Sequence, residues 1–558
     1  MALFIPTQIK DYERGISCHL LKCIEKCLLP PPETVILKKD NLEVKKYNLF
    51  QKVAYVTTNI FLLMGLTLIS PAAISYEYFS KKNVQEEKYP KTFSFSWPPK
   101  DRGFACSFFQ TSGLGTKWSA PQGLAGKCEW DDWMDDPDHV HHKKDFDYKD
   151  FFTDVLSDPG PYIKMLKKQK VTAHRFSLEW SVIEPKKGKL NQKAIDLYTN
   201  FINKLLKANI KPYITLNHFV LPKWFQELGG FQKIENIYLY LNFAKKAMGL
   251  FPQVTNWWSF NELGIKSFQQ IREVFPTDIP ENSNIFKRMN AAALSTRNML
   301  IAHCKLHQIV QNSYPQNKVG VTHQWLKMDM ATGNFLERLV AYYMRKITFF
   351  PVYNFFKTGN FSFEIPFLAN QRFVVSKKDF EKNDHFLQML GVQAYPQPYI
   401  KMGLNHGKTY PGMIKNLPFF SFGGTCEENG TIMRFGPRWR ADAIDEILDE
   451  AFKISNDIYI SEYGADTRIN RWGKDHFELD DQAQAEYLKK LTQRIYKYCF
   501  KNLKTIKGIF IWSDLRRQME WNEGNECKLG LINPIVDKNR KMISWQKTPA
   551  SDFISSYY

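Results

Sequence analysis

Within the first 90 residues one apolar-rich run, Val53 to Tyr76, carries no charged residue. From Pro90 the texture changes: short apolar runs alternate with longer stretches whose apolar residues recur every three to four positions. A strand covered on both faces is apolar throughout, whereas a covering helix is apolar on one stripe, so this alternation predicts repeated βα units. Eight strands are predicted: Gly103–Gln110, Val171–Ser177, Lys211–His218, Val254–Glu262, Lys318–His323, Met389–Tyr395, Asp457–Glu462 and Gly508–Trp512. Between the second and third, Lys193–Ala208 sets Ile195, Tyr198, Ile202, Leu205 and Leu206 on one helical face. Asn209-Ile-Lys-Pro212 then ends that helix and opens the next strand. Ala485–Phe500 leads in the same way into the last strand. Eight strands separated by helices predict an α/β fold, a (β/α)8 TIM barrel with long βα loops. The expected division is a barrel over 91–558 and an N-terminal extension over 1–90.

The run over 53–76 exceeds the ~20 residues a spanning helix needs. Lys45, Lys46 and Lys52 precede it and Lys81 and Lys82 follow, so flanking charge does not orient it. It starts too late for a signal peptide. Asn59 and several Thr and Ser oppose insertion. Two readings stand: a membrane-spanning segment that associates the enzyme with a bilayer, or a helix packed outside the barrel.

The formal charge of +19 comes largely from scattered lysines. With no Arg-rich block or zinc-finger spacing beside it, no nucleic-acid partner is expected; a solvated basic surface with affinity for anionic membranes is. Nine cysteines without a paired framework point to a reducing compartment, cytoplasmic or membrane-associated. Cys18, Cys23 and Cys27 read as a helix face or a lipidation site rather than zinc ligands.

Two apolar runs end in glutamate: Asn256-Trp-Trp-Ser-Phe-Asn-Glu262 and Asp457-Ile-Tyr-Ile-Ser-Glu462. Barrel enzymes place working groups at the C-terminal ends of strands, and two facing carboxyls are the minimum for cleaving a glycosidic bond. The predicted strand ends in order carry Gln110, Arg175, His218, Asn261-Glu262, Tyr395, Glu462 and Trp512. Nearly all are polar or aromatic, while the strand interiors are apolar.

At these positions the chain resembles glycoside hydrolase family 1, the β-glucosidase family, from about Phe104 to Asp537. Phe104-Ala-Cys-Ser-Phe-Phe-Gln110 is similar to the family's opening strand, and His174-Arg-Phe-Ser-Leu-Glu-Trp-Ser181 to its "YRFSIsWsRi.P" segment. Ile214-Thr-Leu-Asn-His218-Phe-Val-Leu-Pro222 resembles "TLYHWDLP", Ser259-Phe-Asn-Glu262 resembles "TFNEP", and Ile460-Ser-Glu462-Tyr-Gly464 resembles "ITENG". Ile511-Trp512-Ser, Glu520-Trp521 and Leu529-Gly-Leu531 are similar to the closing "WSLxDNFEW…RFGL" region. The resemblance implies a retaining β-glycosidase with Glu462 as nucleophile and Glu262 as acid/base, their carboxyls ~5–5.5 Å apart. It implies that Arg175 keeps Glu462 ionised and that Tyr395 donates to it. Gln110, His218, Asn261 and Glu520 would bind ring hydroxyls, with Trp512 and Trp521 against the sugar's apolar face. The substrate implied is a β-linked glucoside or galactoside, and the reaction needs no cofactor or metal.

The chain departs from the pattern beside these groups. Leu263 stands for the family proline, Tyr463 for the asparagine after the nucleophile, Phe219 for the tryptophan after the histidine, and Gln393 for an asparagine. Arg516 and Arg517 lie in a segment one residue longer than usual; they read as a solvent-exposed pair rather than a phosphate site, given Glu520-Trp521. Asp131-Asp132, Asp135-Asp136, Asp138-His139 and His141-His142 carry metal-friendly side chains in what reads as a hydrophilic loop, without a defined ligand spacing. Two further functions fit the same residues: a transglycosylase using a sugar or lipid acceptor, and a catalytically impaired carbohydrate-binding barrel.

Overall fold

The protein was analysed as a computed structural model. It describes residues 25–38, 41–60, 62, 97–121, 124, 127–136, 152–277, 279–280, 283–326, 329–330, 335–395, 399–400, 443–469, 478–521 and 527–558.

Eight parallel strands close into a barrel in chain order: β1 (Asp101–Ala105), β2 (Ala173–Ser177), β3 (Lys211–Thr215), β4 (Asn256–Asn261), β5 (Lys318–Gln324), β6 (Met389–Ala394), β7 (Ile458–Tyr463) and β8 (Gly508–Trp512). Closure comes from β8 beside β1, with Ile511 opposite Phe104. This is the expected (β/α)8 barrel. Two predicted strands overran by three residues or more. The first ends at Ala105, because Ser107 accepts the Gln110 N–H and starts a short helix, Phe108–Ser112, which Gly113 ends at φ 62°. Gln110 therefore sits on a helix. The third stops at Thr215, leaving Asn217 and His218 in the loop beyond.

Inside the barrel an aromatic floor lies below the strand ends. Tyr213 and Phe510 ring centroids are 5.2 Å apart, and those of Trp258 and Tyr459 are 5.6 Å apart. Gly320 makes room for this layer: a Cβ there would lie 2.7 Å from the Trp258 ring. Outside, helix Gln192–Lys207 is capped by Asn191 and buries Ile195, Tyr198, Phe201, Ile202 and Leu205. Leu206, expected on that face, is 37% exposed, since one residue turns it about 100° past Leu205.

Between β5 and β6 the chain adds a small sheet. Asn360–Ile365 and Ala369–Val375 form an antiparallel pair, and Glu33–Lys38 joins it parallel to Ala369–Val375, with Asn41–Lys45 at the edge. Arg297, on helix Ile285–Ser313, ties this sheet down through Glu33 at 3.0 Å and Gln371 at 2.6 Å. Part of the expected extension thus packs beside the barrel. Residues 49–60 are helical and expose Leu49, Phe50, Val53, Val56 and Ile60. Most of the uncharged run, 63–76, lies outside the described residues, as do Cys18 and Cys23. Among the described residues no helix is long and apolar enough to cross a membrane. The spanning helix expected over 53–76 is therefore unsupported.

The acidic stretch also differs from expectation. Glu129–Asp135 is a helix, not a hydrophilic loop, because Trp130, Trp133 and Met134 bury one side of it. Asp132 pairs with Lys127 and Lys223, each at 2.9 Å, and Asp135 with Lys117. Asp138, His139, His141 and His142 lie outside the described residues.

Candidate active site

At the C-terminal mouth of the barrel a cleft open to solvent, with about 420 Å³ of empty space in it, is bordered by Glu262, Glu462, His218, Asn261, Tyr395 and Glu520, with Trp512 and Trp521 at its side. The strands deliver these groups through local irregularities. Pairing register slips between Trp258 and Asn261 on β4, between Val392 and Gln393 on β6, and between Ile460 and Tyr463 on β7. Such bulges re-aim side chains at strand ends. Glu262 follows β4 with φ 46°, its N–H donating to the Thr322 carbonyl at 2.9 Å, and it opens helix Leu263–Ile271.

Arg175 organises the floor. Inward-facing on β2 and 1% exposed, it donates to Glu462 Oε1 through Nη1 and to Asn261 Oδ1 through Nη2 at 2.7 Å. Its Nε donates to Thr215 at 3.1 Å. Tyr395 donates to the other Glu462 oxygen at 2.6 Å. Burial pushes the Glu462 carboxyl above the ordinary carboxylate range, while the Arg175 guanidinium and the Tyr395 hydroxyl pull it back down. Burial, reinforced by the Glu462 charge, keeps the Tyr395 hydroxyl protonated. His218 is held neutral, first by burial and then by Arg175. Its ring lies between Trp512 at 5.2 Å and Trp521 at 6.3 Å, nearly parallel to both.

Gln110 and Arg175 do not border the cavity; each touches a residue that does. Gln110 Nε2 donates to Glu520 Oε2 at 3.1 Å and to the Met519 carbonyl at 3.0 Å. Three residues not singled out for the site belong to its support. Thr322 on β5 and Gln393 on β6 donate to Asn261 Oδ1 at 2.9 and 2.7 Å, so with Arg175 three donors converge on one oxygen. Thr215 steadies the guanidinium. Their inward parity, Gly320-Thr322-Gln324 and Gly391-Gln393-Tyr395, is the sequence signal that marks them. The arginine pair is not a free surface feature. Arg516 donates to the Gly530 carbonyl, Asp481 and Gln484, each at 3.0 Å, because the turn after β8 folds back on helix Asp481–Lys501; both arginines are half-buried.

A family model described as glycosyl hydrolase family 1 matches residues 103–550. The chain belongs to glycosyl hydrolase family 1. Membership makes it an O-glycosyl hydrolase, in keeping with the paired carboxyls. A 1,4-beta-D-glucan glucohydrolase of Thermotoga neapolitana is 24% identical over 463 residues, covering 82% of this chain and 96% of that protein. A 6-phospho-beta-galactosidase of Staphylococcus haemolyticus is 24% identical over 405 residues, covering 66% and 82%. Solved family 1 folds superpose across the barrel: a β-glucosidase from Thermotoga maritima with TM-score 0.61 and 21% identity, and an aphid myrosinase with 0.64 and 17%, each covering 84% of this chain and 98% of the other.

Proposed function

We propose that this family 1 member is a retaining β-glycosidase acting on unphosphorylated β-D-glucosides or β-galactosides. The observation that carries the reading is the pair Glu262 and Glu462 on one cavity, with Arg175 and Tyr395 both bonded to Glu462. Glu462 attacks the anomeric carbon as the bond to the aglycone oxygen breaks, and Glu262 gives that oxygen its proton. Water then loses a proton to Glu262 and attacks the same carbon, releasing Glu462. The three donors on Asn261 Oδ1 orient its amide so that Nδ2 is left to donate to the sugar's 2-hydroxyl, where hydrogen bonds strengthen in the transition state. Glu520 supplies a carboxylate for ring hydroxyls, and the engagement of Arg516 by protein groups argues against a phosphate there.

The test is an aryl β-glucoside with product anomers followed by NMR, together with trapping by a 2-fluoro glycoside and mass spectrometry. A β-product and an adduct on Glu462 are expected; an inverted product defeats the proposal. Cys106, Cys128, Cys304 and Cys499 are buried free thiols, which is in keeping with a reducing compartment. The exposed apolar helix over 49–60 favours a second reading, transfer of the sugar to a lipid acceptor at a membrane surface. Product analysis with and without added glycolipid separates transfer from hydrolysis. An impaired carbohydrate-binding barrel would show neither product.

A further inference from the structure

On the outer side of the barrel wall, back to back with Arg175, four side chains that glycoside cleavage does not use meet in the core. Cys106 follows β1, His174 lies on β2 with its ring on the face opposite Arg175, and Asp514 comes two residues after β8. Tyr162 reaches them from the covering helix Gly160–Lys168. Cys106 is 2% exposed and the other three are fully buried. Cys106 Sγ, a His174 ring nitrogen and an Asp514 carboxylate oxygen all lie within 4.8 Å of one another. The Sγ to Nε2 distance is 3.7 Å, and Tyr162 Oη lies 3.1 Å from Nε2 while also contacting Asp514 Oδ2.

The donor atoms are oriented. His174 Nδ1 stands 3.0 Å from the Phe104 carbonyl, which can only accept, so Nδ1 carries the proton and Nε2 turns its lone pair to the cluster. Burial lowers the imidazole pKa to about 3, so that lone pair stays free. Tyr162 has one hydroxyl proton for two acceptors, Nε2 and Asp514 Oδ2. Asp514 accepts the Leu515 N–H at 2.6 Å, the Tyr162 hydroxyl and the Cys106 thiol, all neutral donors, and among the described residues no Lys or Arg forms an ion pair with it. Burial raises its pKa to about 6. A buried carboxylate without counter-charge, facing an imidazole lone pair and a thiol, is a set of groups that a cation would complete.

We propose that Cys106, His174 and Asp514 form a structural zinc site, with Tyr162 Oη or a water as fourth ligand. The mixed sulfur, imidazole and carboxylate set selects Zn²⁺ over the oxygen-seeking Mg²⁺ and Ca²⁺. Tetrahedral ligands at zinc bond lengths stand about 3.5 Å apart, close to the Sγ to Nε2 spacing. Binding releases the Cys106 thiol proton, which burial otherwise retains, so the thiolate and the Asp514 carboxylate together neutralise the ion. The His174 ring would keep its Nδ1 bond to the Phe104 carbonyl, the usual outer anchor of a ligating imidazole. The ion would tie the C-terminal ends of β1 and β8 to the body of β2. Because the Cys106 N–H donates to the Arg175 carbonyl at 2.9 Å, it would brace the backbone that carries Arg175.

The test is the metal content of the full chain by mass spectrometry after growth with zinc, and the absorption spectrum after growth with cobalt instead. About one zinc per chain is expected, with a thiolate-to-cobalt charge-transfer band in the near ultraviolet. Both should vanish in Cys106→Ala and His174→Phe, and a strong chelator should lower the melting temperature of the wild type until zinc is restored. Wild-type protein holding under ~0.1 zinc per chain overturns the site and leaves a hydrogen-bonded cluster. Zinc retained in Cys106→Ala overturns it as well, by locating the ion elsewhere. Should the variants fail to fold, a wild-type cobalt form without the charge-transfer band overturns it alone.

Discussion

Replacing Arg175 by methionine tests the electrostatics of the site most directly. The guanidinium and Glu462 side chains are 1% and 4% exposed, so solvent cannot take over the lost partner. Breaking one side of such a buried pair costs about 3–5 kcal/mol. If that loss appears as preference for the protonated carboxyl, it raises the Glu462 pKa and thins the ionised form by about 10²-fold or more wherever protonation is favoured. The sign follows from the burial of Glu462, which already pushes its pKa up, and from Arg175, which opposes that push. Removing Arg175 leaves burial unopposed, so ionised nucleophile becomes scarcer at any given pH. The acid limb of kcat/KM, which reports the free enzyme, should move to higher pH. Measured with an aryl glucoside bearing a good leaving group, the profile isolates Glu462 from the proton donor. Stability moves with it. A carboxyl whose folded pKa lies above its unfolded value binds more protons when folded, so its contribution is full at low pH and is lost as pH rises through the folded pKa. Arg175→Met should therefore melt closest to wild type in acid and fall progressively below it as pH rises. An acid limb that stays in place, with a melting deficit equal at all pH values, would refute this account.

Three further outcomes follow from the geometry. Glu462→Gln should abolish turnover of an aryl glucoside while leaving the circular dichroism spectrum near wild type, with a lower melting temperature because the buried Arg175 loses its counter-charge; unchanged turnover would defeat the nucleophile role. Glu262→Ala should slow substrates with poor leaving groups by about 10²–10⁴-fold but good ones far less, with azide restoring rate to the latter; equal losses for both would remove its acid role. Gly264→Ala would set a Cβ 2.0 Å from the Thr348 carbonyl oxygen, so the helix after Glu262 must shift, at about 1–3 kcal/mol of stability and with a loss in kcat. Unchanged melting and kcat would show that the helix is not held there.

The barrel was legible because each strand is an apolar run bounded by a helix or turn, and the closed fold uses them in order. Strand ends were less so where the chain stays extended into a cap, as at Ser107, or into a loop, as at Asn217. The two glutamates and most of their neighbours could be read because strand ends expose what the interior hides. The hold of Thr322 and Gln393 on Asn261 could not be read, since it depends on side chains from three strands meeting at one oxygen. Arg516 looked like a surface charge because its partners Asp481 and Gln484 lie more than 30 residues away. The Glu33–Lys38 strand escaped notice for the same reason: its mate begins at Ala369.

That mate imposes an order on biosynthesis. Glu33–Lys38 leaves the ribosome roughly 300 residues ahead of the strand it must lie against. Asn41–Lys45 can cover one edge at once, but at about 5–20 residues per second the edge that faces Ala369–Val375 waits on the order of tens of seconds unmatched. A chain emerging in this way needs that strand kept from wrong partners until Ala369–Val375 has been made, which makes a holding chaperone a natural companion of this architecture.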